Sequence, residues 1–145
     1  MIQHRRHIWA LEQMLPQNRS RTIPVTLLVV DDEPLVREFV TDALSMYGYE
    51  VLPAKHGEEA LSVLEADTAS KIALVLTDMT MPIMNGVELA EKIREIPDGP
   101  GVLFMTGYLD DQGAINSLVS KQESLLEKPF TPQQLIQRVK EMLGE

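Results

Sequence analysis

One stretch of this sequence joins an apolar run to a single carboxylate. Residues 72–76 are all apolar, and Thr77 and Asp78 follow them directly. An apolar run of this length, bounded by polar residues, is typical of a parallel strand that helices cover on both faces. Ligands collect at the carboxyl ends of the strands in open parallel sheets. Asp78 is therefore a candidate for chemistry.

Three other apolar runs end in the same way. They are followed by groups that bind cations or anions: residues 26–30 by Asp31 and Asp32, residues 102–105 by Thr106, and residues 124–127 by Lys128. If these runs are parallel strands of one sheet, their carboxyl ends meet at one edge. Three carboxylates, one hydroxyl and one ammonium would then converge there.

The carboxylates require a positive charge beside them. Asp31, Asp32 and Asp78 within a few ångströms of one another repel, and an oxygen-only ligand set completed by water suits Mg²⁺. Lys128 supplies a second cation, and Thr106 can donate a hydrogen bond to a phosphoryl oxygen only when such a group is present. Taken singly, these residues could be helix caps or surface charges. Four strand ends that each supply a needed group favour a site.

The elements that position these residues can be predicted from periodicity and turn signals. We expect strands near 26–30, 49–54, 71–78, 102–106 and 124–127, alternating with helices near 34–47, 57–66, 87–93, 109–122 and 132–143. This alternation predicts an α/β fold, with a doubly wound parallel sheet of the flavodoxin-like (βα)5 type. We take the strand order 2-1-3-4-5 from that class of fold. It places Asp31 and Asp32 beside Asp78.

Several residues mark the expected helices. Pro34 suits a first helical turn, and Leu35, Phe39, Val40 and Ala43 then recur at helical spacing. Thr131 is a plausible cap for the last helix, with Pro132 at its first position. The fourth helix is polar and contains Gly113, and its only candidates for a buried face are Ala114, Ile115, Leu118 and Val119. We expect it to be the least stable of the five.

Length and composition restrict the class of protein. The chain has 145 residues, a net charge of −9 and no cysteine. The length suits one domain with a buried core, and the lack of cysteine excludes disulfides and thiolate metal sites, which favours a cytoplasmic location. No stretch approaches the roughly 18 consecutive apolar residues that a membrane helix needs, so we expect no membrane insertion.

The charge is unevenly distributed. Residues 1–24 carry four arginines against Glu12, which gives +3 and leaves −12 for residues 25–145. We divide the chain there into an N-terminal extension and one domain. Apolar residues at helical spacing between Ile8 and Leu15 predict a short helix in the extension, which either serves association or packs weakly. The acidic domain repels the nucleic acid backbone, so we expect no direct nucleic acid binding.

Four motifs in this order resemble the receiver domain of two-component response regulators. The motifs are Val-Val-Asp-Asp-Glu at 29–33, Thr-Asp-Met at 77–79 with Met81-Pro82 and Asn85-Gly86, Phe-Met-Thr-Gly-Tyr at 104–108, and Glu-Lys-Pro-Phe at 127–130. The resemblance extends from about Val25 to the C-terminus. The last two motifs are similar to those of receivers that stand alone, like CheY, or are attached to hybrid sensor histidine kinases.

The resemblance implies a phosphoacceptor and a metal site. Asp78 would accept a phosphoryl group in a Mg²⁺-dependent reaction. Asp32 would bind Mg²⁺ directly, Asp31 would bind it through water, and the backbone carbonyl of Met79 would complete the site. Such a domain catalyses only its own phosphorylation and dephosphorylation, so the resemblance implies a signalling domain and not an enzyme.

The resemblance also implies how the domain signals. Thr106 would be the switch hydroxyl, and Lys128 the ammonium that binds the phosphoryl group, joined to Pro129 by a cis peptide bond. The phosphodonor would be a histidine kinase or a phosphotransfer protein. Output would pass through the fourth helix, fifth strand and fifth helix to a downstream protein or domain, with a phosphorylation-linked homodimer as a further possibility.

The sequence departs from many receivers at one position. Leu125 stands three residues before Lys128, where many members of the family have Tyr or Phe, and Tyr108 is the first aromatic residue after Thr106 in sequence. The usual coupling of the switch hydroxyl to a rotating ring in strand five is therefore not expected. We expect coupling through the backbone and side-chain packing.

Three alternatives begin from the same residues. A phosphatase of the haloacid-dehalogenase type uses an aspartyl nucleophile, but it needs a second Asp two residues later, where this chain has Thr80. A receiver that binds partners without phosphorylation would normally lack part of the acid cluster or the lysine, and this chain has both. A flavodoxin-like cofactor domain would need a phosphate-binding loop rich in Gly or in Ser and Thr after the first strand, and here Asp31-Asp32-Glu33 follows it instead.

Overall fold

Strands and helices alternate along the chain. The computed structural model describes residues 24–66, 71–107 and 109–145. The strands are β1 (Thr26–Val30), β2 (Glu50–Ala54), β3 (Leu74–Asp78), β4 (Gly101–Thr106) and β5 (Ser124–Glu127). The helices are α1 (Pro34–Tyr47), α2 (Gly57–Ala66), α3 (Gly86–Arg94), α4 (Gln112–Ser120) and α5 (Pro132–Leu143). The short helix expected before residue 24 lies outside the described residues.

The strands form one parallel sheet in the order β2-β1-β3-β4-β5. The predicted fold class and strand order are therefore confirmed. The register explains why the site lies at one edge. Val30 is opposite Thr77, and Asp78 is opposite Met105. As a result, Asp31 follows β1 at nearly the level where Asp78 ends β3.

The core has two parts, one on each face of the sheet. Because side chains alternate along a strand, Leu27 and Val29 pack under α1 and α5, whereas Leu28 and Val30 pack under α2, α3 and α4. Helices cover both faces, so the central strands are buried on both sides. This burial is why β1 and β3 read as continuous apolar runs in the sequence.

Local chemistry sets the helix ends. Thr131 accepts a hydrogen bond from the Gln134 amide, and the Gln134 side chain accepts one from the Thr131 amide, which confirms the predicted cap of α5. Asn85 and Glu88 form the same reciprocal pair at the start of α3. Strands β2 and β3 begin later than the sequence predicts, at Glu50 and Leu74.

Two helix faces differ from their predicted patterns. Leu35 and Phe39, which belong to the apolar spacing of α1, are 79% and 40% exposed, and the buried stripe of α1 runs instead through Val40, Ala43, Leu44 and Tyr47. Val119 of α4 is 57% exposed, and Leu118 is the one buried residue of that helix. Adjacent helical residues point about 100° apart, so a neighbour of a buried residue can face solvent.

Candidate functional site

Lys128 and Asp78 meet at the carboxyl edge of the sheet. The Lys128 ammonium donates a hydrogen bond to Asp78 Oδ1 at 3.0 Å, and the Met79 amide donates to the same oxygen at 3.0 Å. Lys128 is held near β4 because its own amide donates to the Thr106 carbonyl at 2.7 Å. The Lys128–Pro129 peptide bond is cis, as the resemblance implies.

Asp31 is the most enclosed member of the cluster. Its side chain is fully buried, with Oδ1 accepting a hydrogen bond from the Glu33 amide at 2.9 Å and Oδ2 accepting one from Lys128 Nζ at 3.4 Å. The Asp31 carbonyl accepts a further bond from the Arg37 guanidinium at 2.7 Å. Lys128 is thus shared between two carboxylates, and both oxygens of Asp31 already have donors.

The third carboxylate, Asp32, lies at the exposed rim of the same cluster. One oxygen atom from each of Asp31, Asp32 and Asp78 lies within 4.8 Å of the other two. Carboxylate oxygens at this spacing can share a divalent cation whose ligand distances are about 2.0–2.6 Å. The donor set and its spacing fit Mg²⁺, and the exposure of Asp32 gives a cation access to the cluster.

The Met79 carbonyl was predicted as a further ligand. It accepts a hydrogen bond from the Gly86 amide at 2.9 Å, which uses one of the two lone pairs of a carbonyl oxygen. The Met79 side chain is buried in the core on the α2–α4 side. Its contribution to a metal site stays a prediction.

The charges of the site are unbalanced. Burial raises the pKa of Asp78 to about 6, and the charges of Asp31 and Asp110 raise it too, while the hydrogen bond from Lys128 acts against them. Burial also raises the pKa of Asp31, against the hydrogen bonds from Glu33 and Lys128. Negative charge therefore exceeds what Lys128 neutralises, and a bound cation would relieve the excess.

Lys128 stays protonated in this pocket. Burial by itself lowers the pKa of its ammonium, but the hydrogen bond to Asp78 and the charges of Asp31 and Asp78 outweigh that effect, so the pKa lies above its ordinary value. A permanently charged ammonium beside Asp78 suits the binding of a phosphoryl group.

Thr106 is the last residue of β4 and is buried at 5% exposure. Glu127, the residue before Lys128, pairs with it across the sheet. The structure therefore brings together five of the residues that the sequence singles out: Lys128 in contact with both Asp31 and Asp78, Asp32 at the rim, and Thr106 beside the Lys128 backbone. Their roles in phosphorylation stay predictions.

Leu125, the residue that departs from the family pattern, packs against the core. The Leu125 side chain is partly buried against the core on the α2–α4 side, and its carbonyl accepts a hydrogen bond from Arg138 of α5 at 3.2 Å. Tyr108, the first aromatic residue after Thr106, lies outside the described residues.

A glycine is required where α3 begins. A Cβ atom built on Gly86 would lie 2.3 Å from the carbonyl oxygen of Asp78. Only glycine lets the start of α3 approach the end of β3 this closely. Gly86 therefore helps to place Asp78.

One residue of the site escaped the sequence reasoning. Asp110, in the loop between β4 and α4, accepts hydrogen bonds from the Thr80 hydroxyl at 2.5 Å and from the Gly107 amide at 2.7 Å. A signal was available, because Asp110 follows Thr106 closely and must lie at the same sheet edge. Its partner Thr80 could not be inferred, since the contact depends on the shapes of two loops.

Taken together, the fold and the site define a doubly wound α/β domain with an acidic, lysine-bearing edge. The family model described as the response regulator receiver domain matches residues 27–140, and the chain belongs to this family of two-component signalling domains. No helix among residues 24–66, 71–107 and 109–145 is both long and apolar enough to cross a membrane.

Relatives of two kinds resemble the chain. The chemotaxis protein CheY1 of Helicobacter pylori is 38% identical over 125 residues, covering 81% of this chain and 96% of CheY1. The sensor kinase CckA of Brucella abortus is 36% identical over 118 residues, covering 81% of this chain but 12% of CckA. A crystal structure of a receiver domain protein from Clostridium thermocellum has a TM-score of 0.72 and 31% identity, covering 83% of this chain and 94% of that one.

Proposed function

We propose that this domain is a phosphorylation switch that accepts a phosphoryl group on Asp78 from the phosphohistidine of a histidine kinase or phosphotransfer protein. The observation that carries the proposal is the contact between Lys128 and Asp78 inside a cluster of three carboxylates. A lone buried carboxylate would have no positive charge to balance it. Here the Lys128 ammonium holds Oδ1 of Asp78, and Asp31 and Asp32 lie beside it.

In the transfer, a carboxylate oxygen of Asp78 attacks phosphorus and the phosphorus–nitrogen bond to the donor imidazole breaks. The nitrogen keeps the bonding electrons and takes up a proton from solvent. The reaction needs ionised Asp78, and a pKa of about 6 leaves the carboxylate mostly ionised at neutral pH. Lys128 and the Met79 amide hold Oδ1 and fix the orientation of the nucleophile.

Asp32 and Asp78 would hold Mg²⁺ directly, with Asp31 acting through water and the Met79 carbonyl as a further ligand. The exposed carboxylate of Asp32 supports its direct role, and the occupied oxygens of Asp31 support an indirect one. When bound, Mg²⁺ neutralises the carboxylates and the negative charge that develops on the transferred group.

The surroundings of the site suit a docked protein donor. Leu35, Ile83 and Leu109 are 79%, 91% and 86% exposed, and they lie in or beside the segments that follow β1, β3 and β4. The rings of Phe39 and Phe130 also contact each other, with centroids 6.1 Å apart and planes tilted by 41°. Exposed apolar side chains around an acidic centre favour a partner that presents its phosphohistidine from an apolar surface.

Output would pass through α4, β5 and α5 to a downstream protein or domain, and a phosphorylation-linked homodimer is a second form that the output can take. A hydrogen bond from Thr106 to the phosphoryl group would move the end of β4, and α4 follows that end through a short loop. Leu118 is the one buried residue of α4, so this helix can shift at low free-energy cost. A cytoplasmic location accords with a kinase-coupled switch.

The proposal is tested by phosphorylation with acetyl phosphate and Mg²⁺, followed by intact-mass measurement. The wild-type domain should gain one phosphoryl group, and Asp78→Asn should gain none. Asp98→Asn is the matched control, because Asp98 lies in the turn before β4 at the opposite edge, with a positive φ that Asn tolerates. Undiminished labelling of Asp78→Asn would refute the assignment.

A further inference from the structure

Asp110 connects two loops that flank the candidate phosphoacceptor. Its Oδ2 atom accepts a hydrogen bond from the Gly107 amide at 2.7 Å, and its Oδ1 atom accepts one from the Thr80 hydroxyl at 2.5 Å. The Asp110 amide also donates to the Gly107 carbonyl at 3.0 Å. One half-buried carboxylate thus joins the loop after β4 to the loop after β3.

Both donors lie close in sequence to the residues of the candidate site. Gly107 follows Thr106 directly, and Thr80 is two residues after Asp78. The charge of Asp110 is among the causes that raise the pKa of Asp78, so the two carboxylates repel across the site. Added negative charge on Asp78 would strengthen this repulsion.

We infer that Asp110 is an internal anion that occupies the Gly107 amide and the Thr80 hydroxyl while Asp78 is unmodified, and that it is displaced when Asp78 carries a phosphoryl group. The inference rests on the proposed function. Phosphorylation replaces a single negative charge by an acyl phosphate with nearly two, and it adds oxygen acceptors beside the same donors. The phosphoryl group would repel the Asp110 carboxylate and compete with it for the Gly107 and Thr80 donors. Asp110 would act by positioning these donors, without contacting the reacting atoms.

Displacement would be transmitted to α4. Asp111, the next residue, is the N-cap of α4 and accepts a hydrogen bond from the Gly113 amide at 3.3 Å. Leu109, the residue before Asp110, is 86% exposed and does not anchor the loop. The contacts of Asp110 accordingly tie the start of α4 to the loop after β3 in the unmodified domain.

The test measures how tightly the domain binds beryllofluoride, a phosphoryl mimic, with Mg²⁺ by isothermal titration calorimetry. Asp110→Asn keeps the size of the side chain but removes its charge and one acceptor. We expect it to bind beryllofluoride about five- to tenfold more tightly than the wild type, and the wild-type affinity to rise more steeply with salt. A purely structural role would not change the salt dependence in this way.

Asp111→Asn is the matched control. It removes the same charge one residue away, and Asn is as good an N-cap as Asp, so its affinity should stay within about twofold of the wild type. Equal or weaker binding by Asp110→Asn would overturn the inference. If Asp110→Asn binds more tightly but Asp111→Asn gains as much, net charge explains the effect and the inference is equally overturned.

A measurement on the wild type covers the case in which a variant folds poorly. The Gly107 amide and the Asp110 side-chain carboxyl carbon should both change NMR chemical shift together on adding beryllofluoride. An unchanged Asp110 carboxyl signal in the saturated complex would also refute the displacement. Failure of the proposed function is distinguishable, because it appears as unaltered phosphorylation in Asp78→Asn, whatever Asp110 does.

Discussion

The Lys128 ammonium lies 3.0 Å from an Asp78 oxygen, although 50 residues separate the two in sequence. The same ammonium reaches Asp31 at 3.4 Å. One positive charge therefore serves two buried carboxylates, with Asp32 as a third acid beside them. Burial is the main reason that the pKa of Asp78 is raised in spite of its hydrogen bond to a lysine, and the negative charge of Asp31 adds to that effect.

The raised pKa predicts how stability varies with pH when a chelator removes metal ions. The pKa of Asp78 is about 6 in the folded domain and 3.8 ordinarily, so the folded state holds this proton more tightly. Its stabilising contribution is complete below about pH 4 and is lost as pH rises through 6. Relative to Asp78→Asn, the free energy of unfolding of the wild type should fall by up to about 3 kcal/mol between pH 4 and 7.

Urea unfolding of both proteins at several pH values measures this difference. Asp98→Asn again serves as the control for removing one carboxylate, because Asp98 lies in the turn before β4, away from the site. A difference between wild type and Asp78→Asn that is constant, or that changes in the opposite direction, would contradict the assignment of the raised pKa.

The metal site predicts unequal effects of its two neighbouring acids. Asp32→Asn should reduce Mg²⁺ affinity about a hundredfold because it removes a direct ligand, whereas Asp31→Asn should reduce it about tenfold because it acts through water. Calorimetric titration with MgCl₂ measures both. Glu33→Gln is the control, since Glu33 contacts Asp31 through its backbone amide and only its charge is removed. Unchanged Mg²⁺ affinity in Asp32→Asn would refute the assignment of Asp32 as a direct ligand.

Two glycines predict opposite effects of the same substitution. Gly86→Ala forces a Cβ atom to within 2.3 Å of the Asp78 carbonyl oxygen, so the start of α3 must shift at a cost of about 1–3 kcal/mol. Around Gly113 of α4, the nearest atoms are carboxylate oxygens of Asp111 at 3.7 Å, and Gly113→Ala should be neutral or stabilise by up to about 1 kcal/mol. Urea unfolding compares them, and equal stabilities would show that the close approach at Gly86 is not needed.

The output face predicts a pattern of hydrogen exchange. Adding beryllofluoride with Mg²⁺ should change amide protection most between residues 106 and 125, because α4 has few buried contacts and follows the end of β4. Exchange monitored by mass spectrometry, with Asp78→Asn as the control that should show no change, measures it. Changes confined to residues 31–34 and 78–86 would mean that the site binds the anion without signalling through α4.

Local sequence signals determined most of the secondary structure. Apolar runs, turn residues and caps act within a few residues, so the bounds of β1, α2, β5 and α5 agree with those predicted. The same signals placed Asp31, Asp78, Thr106 and Lys128 at one sheet edge, because parallel strands separated by helices carry their carboxyl ends to the same side.

Tertiary structure alone decided which of these groups touch and which faces are covered. The sharing of Lys128 between Asp31 and Asp78, and the joining of Asp110 to Thr80, link residues 97, 50 and 30 positions apart. Such contacts depend on how loops from different strands fold over one edge, and no local period encodes that. Leu35 likewise has the apolar character of a core residue, but the neighbouring elements leave it 79% exposed beside the site.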